Sequence, residues 1–237
     1  KTRLVIFDLD GTLLNTIGDL AVSTNHMLAL RGLKQHTYEE YCHFVGNGIL
    51  RLVERALPEN LRTPEYVKAA RQDFLDHYID HIDIHTRPYE GIPQIVETLA
   101  RRGVKMAVAS NKFQEGTAKL IREFFPDIDF VAVCGQREGV PLKPDTALID
   151  MIIDKAGVGR DECVMVGDSC VDMQTAHNAR ITSIGVSWGF RPRTELEENH
   201  ADYIADTAAQ LLQIIESLYA TTQPYKKNLR SRLRPKV

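Results

Sequence analysis

The sequence predicts an α/β fold in which a Rossmann-like parallel sheet forms the core and an all-helical cap is inserted into it. Two observations support this prediction. In the second part of the chain, short apolar runs alternate with helical patterns, which is typical of a parallel sheet with helices on both faces. A first apolar run, at 4–7, is separated from the others by residues 16–86, where only helical patterns occur.

The core is predicted to comprise residues 1–15 and 87–218. Its first strand lies within 3–9, where an unbroken apolar run ends at Asp8 and a turn follows at Gly11 and Thr12. The later core elements, in order, are a helix at 92–102, a strand at 104–109, a helix at 115–125, a strand at 130–134, a helix at 145–156, a strand at 163–166, a helix at 171–179, a strand at 183–186 and a helix at 207–218.

The cap is predicted to comprise residues 16–86. Its helical patterns lie at 17–30, 38–45, 49–57 and 64–82. Between the second and third helices, the segment Gly46-Asn47-Gly48 either closes over a substrate that Asn47 contacts, or is a turn that needs positive φ. The segments 14–18 and 88–91 are expected to be hinges of the cap or plain linkers.

Composition and charge exclude several classes of protein. The chain has 237 residues, is 43% hydrophobic and carries a net charge of −3, which indicates a sizeable core and no nucleic-acid or membrane partner. No apolar run approaches the ~18 residues of a membrane span, and Asp8 and Asp10 interrupt the N-terminal run before it resembles a signal peptide. Four scattered cysteines without a CxxC pair favour a reducing cytoplasm.

A basic tail is predicted at 219–237. Its positive residues, which no acid accompanies from Pro224 onward, are Lys226, Lys227, Arg230, Arg232, Arg234 and Lys236. Such a tail is either a disordered end or a contact for RNA or anionic lipid. We expect a disordered end, so nucleic acid is not an expected partner.

Polar side chains with chemical capacity lie at the predicted carboxyl ends of the strands, where chemistry gathers in open α/β sheets. Asp8 and Asp10 follow the first strand and, being two residues apart on an extended chain, point to the same side. The other candidates are Ser110, Asn111, Lys143, Asp168 and Asp172. Four carboxylates, a lysine, a hydroxyl and an amide are therefore predicted to converge on one edge of the sheet.

This constellation predicts a magnesium site that binds phosphate. Two carboxylates ~5 Å apart repel by about 3 kcal/mol at an effective dielectric of ~20, and a hard divalent ion such as Mg²⁺ relieves that repulsion. With the metal, Lys143 attracts a dianion, and the predicted ligand is a small phosphorylated metabolite. The groups predicted to hold its phosphate oxygens are Ser110, Asn111 and the N–H groups of Gly11 and Thr12. One aspartate can then attack phosphorus while another serves as acid and base.

Four motifs in order resemble those of the haloacid dehalogenase-like phosphatases. They are Asp8-Leu9-Asp10-Gly11-Thr12-Leu13, Ser110-Asn111, Lys143-Pro144, and Gly167-Asp168-Ser169 with Asp172. The resemblance covers residues 3–216 and includes a helical cap inserted after the first motif. It implies that Asp8 is the nucleophile, that Asp10 is the general acid and base, and that Ser110 and Lys143 bind phosphate.

The same resemblance implies how Mg²⁺ is held. Its ligands are Asp8, the main chain of the Asp10 segment through the neighbouring Leu9 carbonyl, and Asp168, with Asp172 in or next to the coordination shell. Further stretches resemble bacterial phosphoglycolate phosphatases. They are 17–20, 45–48, 52–57, 110–112 and 186–190. Two departures, Asn15 in place of aspartate and Thr146 in place of proline, do not touch the chemistry.

Alternative functions and roles stay open at this point. The same site suits a phosphomutase of the β-phosphoglucomutase type, whereas a phospho-accepting receiver or binding module needs neither the helical insertion nor Asp10. Lys112 is either a second phosphate-attracting charge or a solvent-facing lysine. His77, His81 and His85, four residues apart, indicate a solvated helix face rather than a transition-metal site.

Overall fold

The computed structural model describes residues 2–220 and consists of a parallel sheet with an inserted block of helices. The strands are β1 (Leu4–Phe7), β2 (Leu14–Asn15), β3 (Arg87–Pro88), β4 (Lys105–Phe113), β5 (Ala132–Gln136), β6 (Cys163–Gly167), β7 (Thr182–Val186) and β8 (Tyr203–Ala205). The α-helices are α1 (Ile17–Leu30), α2 (Tyr38–Phe44), α3 (Gly48–Ala56), α4 (Pro64–His81), α5 (Ile92–Arg101), α6 (Gln114–Phe124), α7 (Ala147–Ala156), α8 (Cys170–Ala179), α9 (Arg193–Glu198) and α10 (Ala208–Ala220). Short 3₁₀ helices lie at Glu59–Leu61 and Arg160–Glu162.

The main sheet has six parallel strands in the order β5-β4-β1-β6-β7-β8. Strand β1 is central, and its four side chains are all buried. Val5 and Phe7 pack on one face with α5, α6 and α10, while Leu4 and Ile6 pack on the other with α7 and α8. Because both faces are covered, β1 is an unbroken apolar run rather than an alternating one.

The strand order creates a switch point between β1 and β6. From β1 the chain passes to β4 and β5 on one side, and then returns to β6 on the other side of β1. Ligand sites in open α/β sheets lie outside the carboxyl ends of the strands at such a point. Asp8 follows β1 and Asp168 follows β6, so the topology brings together two residues that are distant in sequence.

The helical block, α1 to α4, stands between β2 and β3. These two strands pair antiparallel, Leu14 with Pro88 and Asn15 with Arg87, so the outgoing and returning connections lie side by side. The block shares a continuous apolar core with the sheet, and Tyr41, Phe74 and Tyr78 are among its fully buried side chains.

Local capping explains where two helices of the block begin. At α2, the Thr37 side chain accepts a hydrogen bond from Glu40 N, and the Glu40 carboxylate accepts one from Thr37 N at 2.7 Å. At α4, the Thr63 hydroxyl accepts from Tyr66 N, and Pro64 occupies the first helical position, where no N–H is needed.

The predicted fold class is confirmed, and several short elements were not predicted. The sequence pattern missed β2, β3, α9 and β8, which are only two to six residues long and so show no clear periodicity. Strand β4 was predicted to end at Ala109 but continues to Phe113, which pairs with Gln136 beyond an irregularity in the register.

The predicted tail lies almost entirely outside the described residues. Helix α10 continues through 219 and 220, and residues 221–237, with all six basic residues of the predicted tail, are not described. Within residues 2–220, no helix combines the length and the apolar character needed to cross a bilayer.

A buried aspartate joins the beginning of the helical block to its end. Asp19 of α1 accepts hydrogen bonds from His85 N at 2.9 Å, and from both the N–H and the hydroxyl of Thr86 at 2.8 Å. Asp19 and Thr86 are both buried. Charge-assisted bonds to buried main-chain groups are stronger than neutral ones, so Asp19 fixes the returning connection against α1.

Replacing Asp19 should therefore destabilise the fold. We expect D19A to lower the free energy of unfolding in urea by about 2–3 kcal/mol, because buried N–H groups lose a charged acceptor. The matched control is D80A, the same change at an exposed position of α4, which should shift that free energy by about 0.5 kcal/mol or less. Equal effects of the two substitutions would contradict the role of Asp19.

Candidate active site

Three buried carboxylates meet at the carboxyl end of the sheet. Asp8, Asp168 and Asp172 each place one oxygen within 4.8 Å of the others, and all three residues are buried. Asp8 directly follows β1 and Asp168 follows β6, while Asp172 lies in the first turn of α8. The predicted convergence at this edge is therefore present for these three residues.

Two glycines make room for the carboxylates. Gly11 has φ +85°, and a Cβ built on it would lie 2.3 Å from Asp168 Oδ2. A Cβ on Gly167 would lie 2.2 Å from the Asp172 side chain. Any larger residue at these positions would push a carboxylate out of place.

Lys143 links two of the carboxylates. Its Nζ donates to Asp8 Oδ1 at 2.8 Å and to Asp172 Oδ1 at 2.7 Å, and the residue is 3% exposed. Burial alone would lower the pKa of the Lys143 ammonium, but Asp172 and Asp8 outweigh it and hold that pKa above its ordinary value. Lys143 is therefore a permanent positive charge between the two carboxylates.

The surroundings of Asp8 and Asp168 raise the pKa values of both carboxyl groups. Burial raises the pKa of Asp8 to about 7. The charge of Lys143 opposes this shift, and the charge of Asp172 adds to it. Burial also raises the pKa of Asp168 well above its ordinary value, and Asp172 and Asp8 add to that shift. A bound cation acts in the opposite direction, because it favours the ionised carboxylates.

Hydrogen bonds fix the orientation of Asp168 and Asp172. Asp168 Oδ2 accepts from Phe190 N at 2.7 Å, and its Oδ1 lies 3.5 Å from the Thr12 hydroxyl. Asp172 Oδ2 accepts from the Ser169 hydroxyl at 2.8 Å and from Ser169 N at 3.2 Å. The contact with Phe190 was not predicted, since the Phe190 N–H carries no signal in the sequence.

The predicted phosphate-binding groups have different environments. Ser110 is buried and its Oγ accepts from Lys112 N at 3.1 Å, which leaves the hydroxyl hydrogen free to donate. The N–H groups of Gly11 and Thr12 donate within their own turn, to Leu14 O at 2.9 Å and Leu9 O at 3.2 Å. Gly11 instead contributes a positive φ and the absence of a side chain, which leaves room for Asp168.

Asn111 and Asn47 make structural contacts. The Asn111 amide donates to Gly46 O and to Lys143 O, both at 3.1 Å, and its carbonyl accepts from Lys143 N at 2.9 Å. Asn111 therefore ties the loop of the helical block to the loop that carries Lys143. Asn47 Oδ1 accepts from the Arg55 guanidinium at 2.8 Å.

Asp10 lies outside the three-carboxylate cluster. Its Oδ1 accepts from Lys112 Nζ at 3.0 Å. Lys112 is only 4% exposed, so of the two roles left open by the sequence, the solvent-facing one is wrong. The second partner of Lys112 Nζ is the Tyr78 hydroxyl at 2.6 Å, and Tyr78 belongs to the helical block.

The histidines do not form a metal site. His77 stacks on His81 with ring centroids 3.9 Å apart, and His26 stacks on the other side of His77 at 4.2 Å. His77 Nδ1 lies 2.9 Å from Ser23 Oγ, and His81 Nδ1 lies 2.6 Å from His77 O. His85 lies beyond the end of α4, so the predicted face of three histidines on one helix is wrong. Within residues 2–220, the carboxylates of Asp8, Asp168 and Asp172 are the one group with metal-binding geometry.

A small cleft lies between these polar groups and the helical block. It is partly open and offers about 40 Å³ to water-sized molecules, room for roughly three waters. The sheet contributes the catalytic candidates, and the block contributes a mostly apolar wall. The wall residues are Leu20, Val45, Gly46, Gly48, Ile49 and Leu52, with Phe190 and Arg191 at the side.

The charges of the site suit a divalent cation. Four carboxylates, those of Asp8, Asp10, Asp168 and Asp172, face two ammonium groups, Lys112 and Lys143. Two negative charges are therefore uncompensated in a buried region when all four acids are ionised. Three hard oxygen donors beside that excess charge fit Mg²⁺, so Asp8, Asp168 and Asp172 are the residues that would hold it. The Leu9 carbonyl, the other predicted ligand, instead accepts hydrogen bonds from three N–H groups of the following turn.

Comparison with known proteins identifies a family, related sequences and a related structure. The family model described as haloacid dehalogenase-like hydrolase matches residues 5–186. A phosphoglycolate phosphatase from Agrobacterium fabrum (strain C58) is 37% identical over 218 residues, which cover 88% of this chain and 90% of that protein. A phosphoglycolate phosphatase from Mannheimia succiniciproducens is 31% identical and covers 90% and 98% respectively. A crystal structure from Lactobacillus delbrueckii subsp. bulgaricus superposes with TM-score 0.85 at 35% identity, covering 91% of this chain and 98% of that one.

The carboxylate cluster makes a prediction about metal binding. We expect Mg²⁺ to raise the melting temperature of the protein, since binding at 100 times Kd adds about 2.7 kcal/mol of stability. In D168N this increment should disappear, because one of three anionic ligands is neutral. D161N, the same change at an exposed position, should keep it. An equal Mg²⁺ increment in both variants would contradict the assignment of the site.

Proposed function

The chain belongs to the haloacid dehalogenase-like hydrolase family, and we propose that it hydrolyses a small organic phosphomonoester with Mg²⁺ through an aspartyl-phosphate on Asp8. Phosphoric monoester hydrolysis is the reaction class of the chain, as its family and its relatives named phosphoglycolate phosphatase indicate. The metal, the covalent intermediate and the phosphoglycolate-like substrate are the parts that we add.

One observation carries the proposal. The Asp8 carboxylate is paired with the buried ammonium of Lys143, lies within 4.8 Å of the other two carboxylates, and lines the cleft. Its Oδ1 accepts from Lys143, while Oδ2 has no hydrogen-bond partner among residues 2–220. A carboxylate that is held by one oxygen and open at the other is arranged to act as a nucleophile.

In the proposed first step, Asp8 Oδ2 forms a bond to phosphorus and the bond between phosphorus and the ester oxygen breaks. Asp10 gives its proton to the departing alkoxide. Lys143 and the Ser110 hydroxyl, both buried beside Asp8, are placed to donate hydrogen bonds to the phosphoryl oxygens. When bound, a divalent cation supplies charge neutralisation for those oxygens.

In the proposed second step, water forms a bond to phosphorus and the bond between phosphorus and Asp8 breaks. The water proton passes to Asp10, which is thereby ready for the next cycle. The products are an alcohol and inorganic phosphate. The helical block lines one side of the cleft and so limits the contact of the reacting groups with bulk water.

The cleft is consistent with a small substrate. Its free space for roughly three waters favours a small phosphate ester over a bulky one, and Gly46, Gly48 and Ile49 of the helical block line the same cleft as Asp8. Phosphoglycolate, a two-carbon ester, meets this requirement. We propose that Asn47 and Asn111 also belong to the substrate site, because they hold the loop that lines it. Asn111 donates to the Gly46 carbonyl, and Asn47 accepts from Arg55.

The test is phosphate release from phosphoglycolate and a panel of small phosphate esters. We expect release that requires Mg²⁺ and that D8N lowers by at least about 10³-fold, because an amide cannot form the covalent intermediate. D80N, on the surface of α4, is the matched control and should retain full activity.

Two outcomes would contradict the proposal. Activity that persists in D8N, or without divalent metal, would overturn the mechanism. An isomerised sugar phosphate in place of free phosphate would show a phosphomutase of the β-phosphoglucomutase type instead.

A further inference from the structure

A second buried lysine, Lys112, serves a carboxylate that Lys143 does not reach. Lys112 follows Asn111 within β4, and its Nζ donates to Asp10 Oδ1 at 3.0 Å and to the Tyr78 hydroxyl at 2.6 Å. Its side chain is 2% exposed and that of Asp10 13%. Among residues 2–220, Asp10 is the one carboxylate in an ion pair with Lys112.

The two lysines pair with different carboxylates. Lys143 contacts Asp8 and Asp172 of the three-carboxylate cluster, whereas the carboxylate that Lys112 contacts is that of Asp10. A buried ammonium is costly unless it is paired and hydrogen-bonded. The position of Lys112 in the sheet therefore needs Asp10, and the orientation of Asp10 in turn depends on Lys112.

This contact determines which oxygen of Asp10 is available to the substrate. An ammonium group has donors and no acceptor, so the oxygen that faces Lys112 can only accept. Asp10 Oδ1 is that oxygen. Oδ2 has no hydrogen-bond partner among residues 2–220, and Asp10 lines the cleft, so Oδ2 is the oxygen that can exchange a proton with the leaving group.

The support of Lys112 comes partly from the helical block. Tyr78 lies in α4 and is completely buried, and its ring centre is 4.9 Å from Lys112 Nζ. The main chain of Lys112 is fixed separately, since its N–H donates to Ser110 Oγ. The side chain of Lys112 thus connects the sheet, Asp10 and the block in one chain of hydrogen bonds.

We propose that Lys112 is a positioning residue that holds Asp10 Oδ2 toward the leaving-group oxygen, and that Tyr78 makes this support depend on the block lying against the sheet. This inference rests on the proposed function, because it needs Asp10 to transfer a proton. The alternative is that Lys112 merely attracts phosphate or joins the block to the sheet.

Two substrates separate these roles. An alkyl phosphate such as ethyl phosphate releases an alkoxide, which needs a proton, whereas acetyl phosphate, a dianion of similar size, releases acetate, which does not. The value of kcat/KM reports the steps up to the first irreversible one, here formation of the aspartyl-phosphate. Loss of charge or of stability lowers kcat/KM for both dianions alike, so the ratio of the two values isolates proton transfer.

We expect K112M to lower the ratio of kcat/KM for the alkyl phosphate to that for acetyl phosphate by at least about tenfold, in the same direction as D10N. K119M is the matched control. Lys119 also joins the sheet region to the block, through Asp83 at 3.2 Å, but it is partly exposed and does not contact Asp10. Its ratio should equal that of the parent enzyme.

Y78F provides a second measurement should K112M fail to fold. It removes one hydroxyl and should lower the same ratio by about twofold to fivefold, since Lys112 loses one of its two partners. If D10N lowers the ratio while neither K112M nor Y78F does, Lys112 is not a positioning residue. If D10N leaves the ratio unchanged, Asp10 is not the acid, and the proposed function fails together with this inference.

Discussion

The contact of the Lys143 ammonium with Asp8 and Asp172 is the interaction on which the site depends. Three carboxylates lie within 4.8 Å of one another in a buried region, and their repulsion must be offset. At an effective dielectric of ~20, one ion pair at ~4 Å is worth about 4 kcal/mol, comparable to the repulsion between two neighbouring carboxylates. Lys143 therefore allows the cluster to form, and the remaining negative charge makes it receptive to a divalent cation and, with that cation, to phosphate.

The fold brings the carboxylates close together and leaves space for them, which Lys143 alone cannot do. Parallel strands β1 and β6 end side by side at the switch point, which brings Asp8 and Asp168 together. Gly11 and Gly167 leave the space that the carboxylates occupy, and the helical block lines one side of the cleft. The same block contributes Tyr78 to the support of Lys112, so the sheet and the block together form the candidate site.

Sequence patterns predict those parts of the protein that depend on local order. The apolar run of β1, the four helices of the block and the carboxylates at the strand ends were all predictable because each has its own pattern. Helix α9, with Leu196 as its single apolar residue, has no such pattern. The contacts of Lys112 with Tyr78 and of Asp168 with Phe190 join residues distant in sequence, so only the folded chain reveals them. The contacts of Asn111 are likewise between residues distant in sequence, since its amide donates to the carbonyls of Gly46 and Lys143.

The covalent role of Asp8 is the central claim, and trapping the phosphoryl group tests it most directly. A crystal structure of the protein with Mg²⁺ and beryllium fluoride, which mimics a phosphoryl group on a carboxylate, would show where the group is accepted. We predict beryllium bonded to Asp8, with Lys143 beside the fluorides and the metal held by Asp8, Asp168 and Asp172. An adduct on Asp10, or on any other residue, would contradict the account.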